Sequence, residues 1–206
     1  MRSSKTLIWG AMLLALVLVG VSFSRTGTAT TPSPSVGISL PIETVADFVH
    51  AVIEADREVY TRHVVERMES KGIVVASENW VEKNTLPLPA QFLMESGRLV
   101  AKKGTKIQYR LISLWPINKQ NAASTEFERT GLGTFITHIT QPNRPYVGFA
   151  EFGGGRYFQA IYADLAVTQA CIGCHNAHPN SPKRDFKLND VMGGIVISIP
   201  LAQLPN

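Results

Sequence analysis

The five residues Cys171-Ile172-Gly173-Cys174-His175 constrain this chain more than any other stretch. They hold both of its cysteines, and a histidine directly follows the second. Two thiols at this spacing with an imidazole next in line spell C-x-x-C-H, the attachment pattern of a c-type haem. Each thiol can add to a vinyl group on one edge of a porphyrin, and His175 then stands under the iron as its proximal axial ligand. The fold has to hold a prosthetic group against this segment.

Three other chemistries use paired cysteines. A zinc site wants four Cys or His ligands, usually from two separated pairs. Here the second pair would be His175 and His178, which are crowded against the cysteines. A thioredoxin-like pair sits at a helix N-terminus after a strand, in a βαβ setting. Residues 163–170 instead read as a helical lead into the motif, which would put the cysteines at a helix C-terminus. A structural disulfide across this spacing closes only a tiny loop and constrains little of the unfolded chain. Covalent haem is the reading that uses all three residues.

The 206 residues suit one domain plus a leader. The formal net charge of +4 is scattered along the chain, with no Lys/Arg run of the kind that tracks phosphates, so a nucleic-acid partner is not expected. Arg2 and Lys5 precede an apolar run over residues 7–23, and Arg25 then opens a Thr/Pro/Ser-rich stretch. This is the pattern of a secretory signal over residues 1–25. The run is also close to the ~17–25 residues that span a bilayer as an uncleaved membrane anchor. Either outcome places the domain outside the cytoplasm, in a periplasmic or other extracytoplasmic space. Bacterial covalent haem attachment takes place on that side of the membrane. Residues 26–40 read as a linker, and 41–206 as the haem-binding domain.

Pro41 opens a helical pattern to about Ser70, with Gly72 as its stop signal. Val45, Phe48, Val49, Val52, Val59 and Tyr60 fall on one side of the wheel, and Glu54, Glu58 and Glu69 on the other. His63 lies near the centre of that apolar stripe; His50 and Met68 lie towards its edge. A short strand over 72–76, a helix over 90–103 and a strand over 108–114 follow, the strand ended by Trp115-Pro116. Residues 124–132 read as helix, and 133–140 as strand or loop. Residues 145–152 and 156–163 form a hairpin joined at Gly153-Gly154-Gly155. After the motif, a loop leads to a β-branched strand over 191–201. Strands in antiparallel order with helices between them make an α+β domain.

With these pieces placed, the chain resembles the PAS-like c-type haem domains, a family long catalogued as a domain of unknown function. Its members occur as stand-alone secreted haem proteins and as input regions of histidine kinases and chemoreceptors. The resemblance covers roughly residues 41–201. Its marks are Tyr60-Thr61 to Val65, Asn84 to Ala90, Ser113-Leu114-Trp115-Pro116-Ile117-Asn118, Asn121 and Phe127-Glu128. The longest block runs from Tyr157-Phe158 through the haem motif to Asn176, His178-Pro179, Ser181-Pro182-Lys183 and Asp190 to Gly194. The resemblance implies a PAS-like fold, a central antiparallel sheet with helices over it and haem in the pocket. Some members are described with a cysteine thiolate as sixth ligand, and this chain has no third cysteine.

The ligand across the iron from His175 is therefore open. His63 is the expected candidate by its place on the helix; a core histidine hydrogen-bonded to a neighbour is the plain alternative. His50, His138, Met68 and Met192 are further candidates, as is water. His178 is too close in sequence to His175 to reach the other haem face. Arg110, Lys183 and Arg184 could neutralise propionates, or could be ordinary surface charge. Trp115 and Tyr162 could line the pocket, or could be core aromatics. Electron transfer with a redox partner protein is the expected function. The alternative is a redox or gas sensor signalling to a partner in trans. No acid–base constellation supports an enzyme such as a peroxidase.

Overall fold

The structure is a computed structural model and describes residues 39–137 and 144–201. The signal or anchor segment, nearly all of the linker and His138 lie outside the described residues. Among the described residues no helix is long and apolar enough to cross a membrane.

Four strands form one antiparallel sheet in the order β1-β4-β3-β2, with β1 at Gln108–Ile112, β2 at Tyr146–Phe152, β3 at Gly155–Leu165 and β4 at Val191–Pro200. Phe152 pairs with Gly155, which leaves Gly153 and Gly154 as the turn, at φ 57° and 74°. A two-residue hairpin needs positive φ at both positions, and glycine supplies it without a steric cost. The central strands β3 and β4 are buried on both sides. Phe158, Ala160, Tyr162, Ile195, Ile197 and Ile199 point to one face, and Ile161, Ala163 and Val196 to the other, as the alternation of a strand requires. A Cβ on Gly193 would lie 2.3 Å from the Ile112 carbonyl oxygen, so only glycine lets β4 approach the end of β1 there.

Helix α1 (Ile42–Val59) and helix α4 (Pro89–Ala101) cover the first face through Ala46 and Leu93. Helix α5 (Glu126–Thr137) covers the second through Leu132 and Phe135. This is the expected α+β arrangement, a central antiparallel sheet with flanking helices. The long first helix is also present but changes its winding. After α1 come seven π-helical residues, Tyr60–Glu66, and then α2 (Arg67–Ser70). Gly72, at φ 62°, ends the run: its N–H donates to the Glu69 carbonyl and that of Ile73 to the Met68 carbonyl. This pair of bonds is a Schellman closure, as the glycine foretold.

Several local readings are corrected. The inward side of α1 is Ile42, Val45, Ala46, Val49 and Ile53, whereas Phe48, Val52 and Val59 are exposed. The wider π turn carries Thr61 and Val65 inward and leaves His63 exposed. The strand over 72–76 reduces to one bridge, Ala76 to Leu86, and a short helix α3 (Trp80–Lys83) follows it. Residues 133–137 continue α5. The helical lead into the motif is absent: β3 runs to Leu165, and a separate helix α6 (Gln169–Ala177) carries the cysteines as its third and sixth residues.

Candidate functional site

The end of β3 sets the position of the motif. The Ala166 N–H donates to the Asp190 carbonyl (2.9 Å) and Asn189 donates back to the Ala166 carbonyl (3.0 Å). These bonds tie the start of the motif segment to the entry of β4. Helix α6 begins after Thr168, whose hydroxyl lies 3.4 Å from the Cys171 sulfur. Residues 171, 174 and 175 stand at i, i+3 and i+4, so a single helix face presents both thiols and the imidazole. Both cysteines are free thiols.

Under that face lies an apolar cluster of Ala166, Phe186 and Met192, against which Trp115, Cys171 and Ile172 pack. His175 meets Phe186 edge-on, with ring centroids 5.8 Å apart. Asn176 holds Phe186 in place: its side-chain amide donates to the Phe186 carbonyl (2.9 Å) and its oxygen accepts from the Phe186 N–H (3.0 Å). Ser113 does the same for Trp115. Its hydroxyl donates to the Met192 carbonyl (2.7 Å) and accepts from the Trp115 N–H (2.9 Å). The Lys183 ammonium lies over both rings, 5.5 Å from the centroid of Trp115 and 4.8 Å from that of Phe186. Trp115 and Lys183 therefore lie beside the motif.

Burial shifts the basicity of both functional groups of the motif. It holds the His175 imidazole below its ordinary pKa, with Asp164 opposing and His178 adding to the effect, so the ring is neutral at pH 7. Its Nδ1 is buried without a hydrogen-bond partner. Burial, then Glu78, Cys171 and Glu69, raise the Cys174 thiol above its usual pKa. The motif does follow a strand and open a helix, the setting first taken to be missing. The antiparallel sheet, in place of a βαβ setting, is what separates it from a thioredoxin-like pair.

Other expected site residues are placed elsewhere. Arg110 is held on the α5 side by Glu128 (2.5 Å) and Ser124 (3.0 Å). Arg184 donates to the carbonyls of Pro179 and Ser181. His178 accepts from the Asn180 N–H at Nδ1 (3.2 Å) and faces Glu78 with Nε2 (3.5 Å). Tyr162 lies under α1: its hydroxyl donates to Asp47 (2.7 Å) and its ring is stacked on His50 at 3.9 Å. Two strand residues further on, buried Asp164 pairs with Arg57 of α1. His63 is exposed on the π-helical turn. Met192 belongs to the apolar cluster of the motif. Asn176, Phe186 and Ser113 had no assigned role in the sequence reading; Asn176 and Ser113 carried a signal there as residues of the blocks that mark the resemblance.

A family model described as Tll0287-like matches residues 38–200. The chain belongs to the Tll0287-like family. Among solved structures, the crystal structure of the cyanobacterial haem protein Tll0287 overlays with a TM-score of 0.49 at 14% identity, covering 81% of this chain and 100% of that one. A search of curated proteins gave no significant match.

Proposed function

We propose that this member of the Tll0287-like family is a c-type haem protein. Its haem is bound through thioethers from Cys171 and Cys174, with His175 as proximal ligand. The observation that carries the reading is the single face of α6, which presents two free thiols and a neutral, half-buried imidazole, with Cys171 packed on the apolar cluster and His175 edge-on to Phe186. Among the described residues no group of three or more His, Cys, Asp or Glu side chains converges as metal ligands. An iron at His175 would take its equatorial ligands from the porphyrin. The family is named for Tll0287, a cyanobacterial haem protein, which supports the same cofactor here.

When bound, the haem supplies one-electron chemistry. The chain's own contribution is to fix the His175 ring by the Asn176–Phe186 clamp and to exclude water with Trp115, Phe186 and Met192. Lys183 adds a cation beside the ring floor. We assign the protein to electron transfer with a redox partner protein in an extracytoplasmic space, reached by its leader as a cleaved signal or a membrane anchor. No nucleic-acid role is assigned. The alternative role is a haem sensor signalling in trans.

The purified protein should give a c-type pyridine haemochrome and a haem stain that survives denaturing electrophoresis. The Cys171→Ala/Cys174→Ala variant should lose both. Retention of the stain in that variant would end the covalent reading. Carbon monoxide separates the two roles: refusal by the reduced protein supports electron transfer, and ready binding supports the sensor.

A further inference from the structure

One side of β3 leads from the first helix to the motif. Phe158, Ala160 and Tyr162 pack towards α1 and α4, and Ala166, just past the strand, belongs to the apolar cluster beside α6. Asp164 comes between them, on the side of Tyr162 by the alternation of a strand. Its side chain is 8% exposed and forms an ion pair with Arg57, in the last turn of α1 and itself 13% exposed. The ladder is irregular at this point: Asp164 lies opposite Gly193 and Leu165 opposite Val191, so Met192 is passed over. A bulge of this kind bends the strand and re-aims the side chains beside it. Here it stands where the strand turns from a buried charge pair to the apolar cluster of the motif.

His175 lacks an outer contact. A histidine that ligates a metal usually donates its other ring N–H to a carboxylate or a carbonyl, which strengthens it as a ligand. The Nδ1 of His175 is buried and has no hydrogen-bond partner. Charge therefore acts on this ring through space, where burial keeps screening weak. Asp164 and His178 are the charges felt at His175, in opposite senses, and the effect of Asp164 is the larger.

We propose that Asp164 acts on the haem iron through His175: its carboxylate, partly offset by Arg57, favours the oxidised iron and so lowers the reduction potential. The inference rests on the haem reading above and names what sets the potential within it. Reduction by one electron from the redox partner removes one positive charge from the iron centre. A buried anion nearby therefore stabilises the oxidised form more than the reduced one.

The test is a potentiometric titration of the purified holoprotein at pH 7, followed by its visible spectrum. Asp164→Asn keeps the shape of the side chain and removes the anion. It should shift the iron equilibrium about tenfold towards the reduced form, a rise of about 59 mV for one electron. Asp164→Asn/Arg57→Met removes both charges and should fall between that variant and the parent, because the cation left in the single variant is gone. Asp47→Asn, which removes an exposed carboxylate from α1, should shift the equilibrium by less than about twofold. The Soret band should stay in place throughout, since His175 remains bound. An unchanged potential in Asp164→Asn would overturn the proposal. An equal rise in Asp47→Asn would make the effect one of net charge, and a double variant at or above the single one would make it one of packing; either overturns it too. Should Asp164→Asn fail to fold, the double variant decides against the parent: a rise is expected, and no rise sinks the proposal. A parent without a c-type haemochrome fails the haem reading itself, and the inference with it.

Discussion

His50 and His175 are two buried imidazoles, each with one ring nitrogen that has no hydrogen-bond partner, Nε2 in the first and Nδ1 in the second. Burial depresses the basicity of both. Taken alone, either passes for a haem ligand. Their surroundings differ. His50 lies flat against Tyr162, 3.9 Å away and nearly coplanar, and is walled in by Asp47, Glu54 and Arg57. Its ring face is already occupied by another ring. His175 touches its aromatic neighbour only by an edge and shares a helix face with two free thiols. What distinguishes a ligand from a core histidine here is the chemistry of its neighbours, since burial and the missing partner are common to both.

The spectrum offers the sharpest way to break that comparison. With thioethers intact, His175→Ala should keep its haem stain but show a displaced Soret band, because the proximal ligand is gone. His50→Ala should leave the band where it is. The reverse pattern would make His50 the ligand and His175 the structural residue.

Next in size is the ion pair between the two histidines. Arg57 on α1 and Asp164 on β3 are 13% and 8% exposed. Arg57→Met leaves a buried carboxylate without its partner, which costs about 3–5 kcal/mol in pairs of this kind. Arg57→Met/Asp164→Leu removes both charges and should recover most of that loss in urea unfolding. If the double variant is no better than the single, the pair acts through packing and not through charge. Neither change should affect haem attachment, which separates the contact of α1 with the sheet from the motif.

How much of this was legible in the residues depends on whether the signal was local. The Gly153-Gly154 turn, the Gly72 stop and the β-branched strand β4 each depend on a few adjacent side chains, and each appears where it was read. The inward face of α1 was not legible because the helix carries apolar residues on two sides. Their combined periodicity pointed between the two, at a face that included His63, which the π-helical turn leaves exposed. The helical reading of residues 163–170 failed for a different reason. Alanine and leucine in that run favour helix, but β3 is paired with β4 as far as Leu165, and strand pairing with burial overrides propensity. Asp47, Arg57 and Asp164 drew no reading from the sequence, since their partners are more than a hundred residues away.

The smallest expected effect concerns His50 alone and follows from its titration. Burial, opposed by Asp47 and reinforced by Arg57, lowers its pKa from 6.5 to about 4. Between those values the unfolded chain binds a proton that the folded chain excludes, so stability falls as pH drops from 6.5 through about 4 and the loss is complete below that. From pH 7 to pH 5 the contribution is about 2 kcal/mol. The His50→Phe variant keeps a ring stacked on Tyr162 and has nothing to protonate. Its urea midpoint should therefore fall less than the parent's over this interval, while both respond alike below pH 4, where carboxylates dominate. Parallel profiles would mean that His50 takes up its proton in the folded state, by moving towards Glu54, which already lies 4.0 Å from its Nδ1. In that case the stack on Tyr162 is a mobile contact, and the contrast with the clamped His175 would be one of rigidity as well as chemistry.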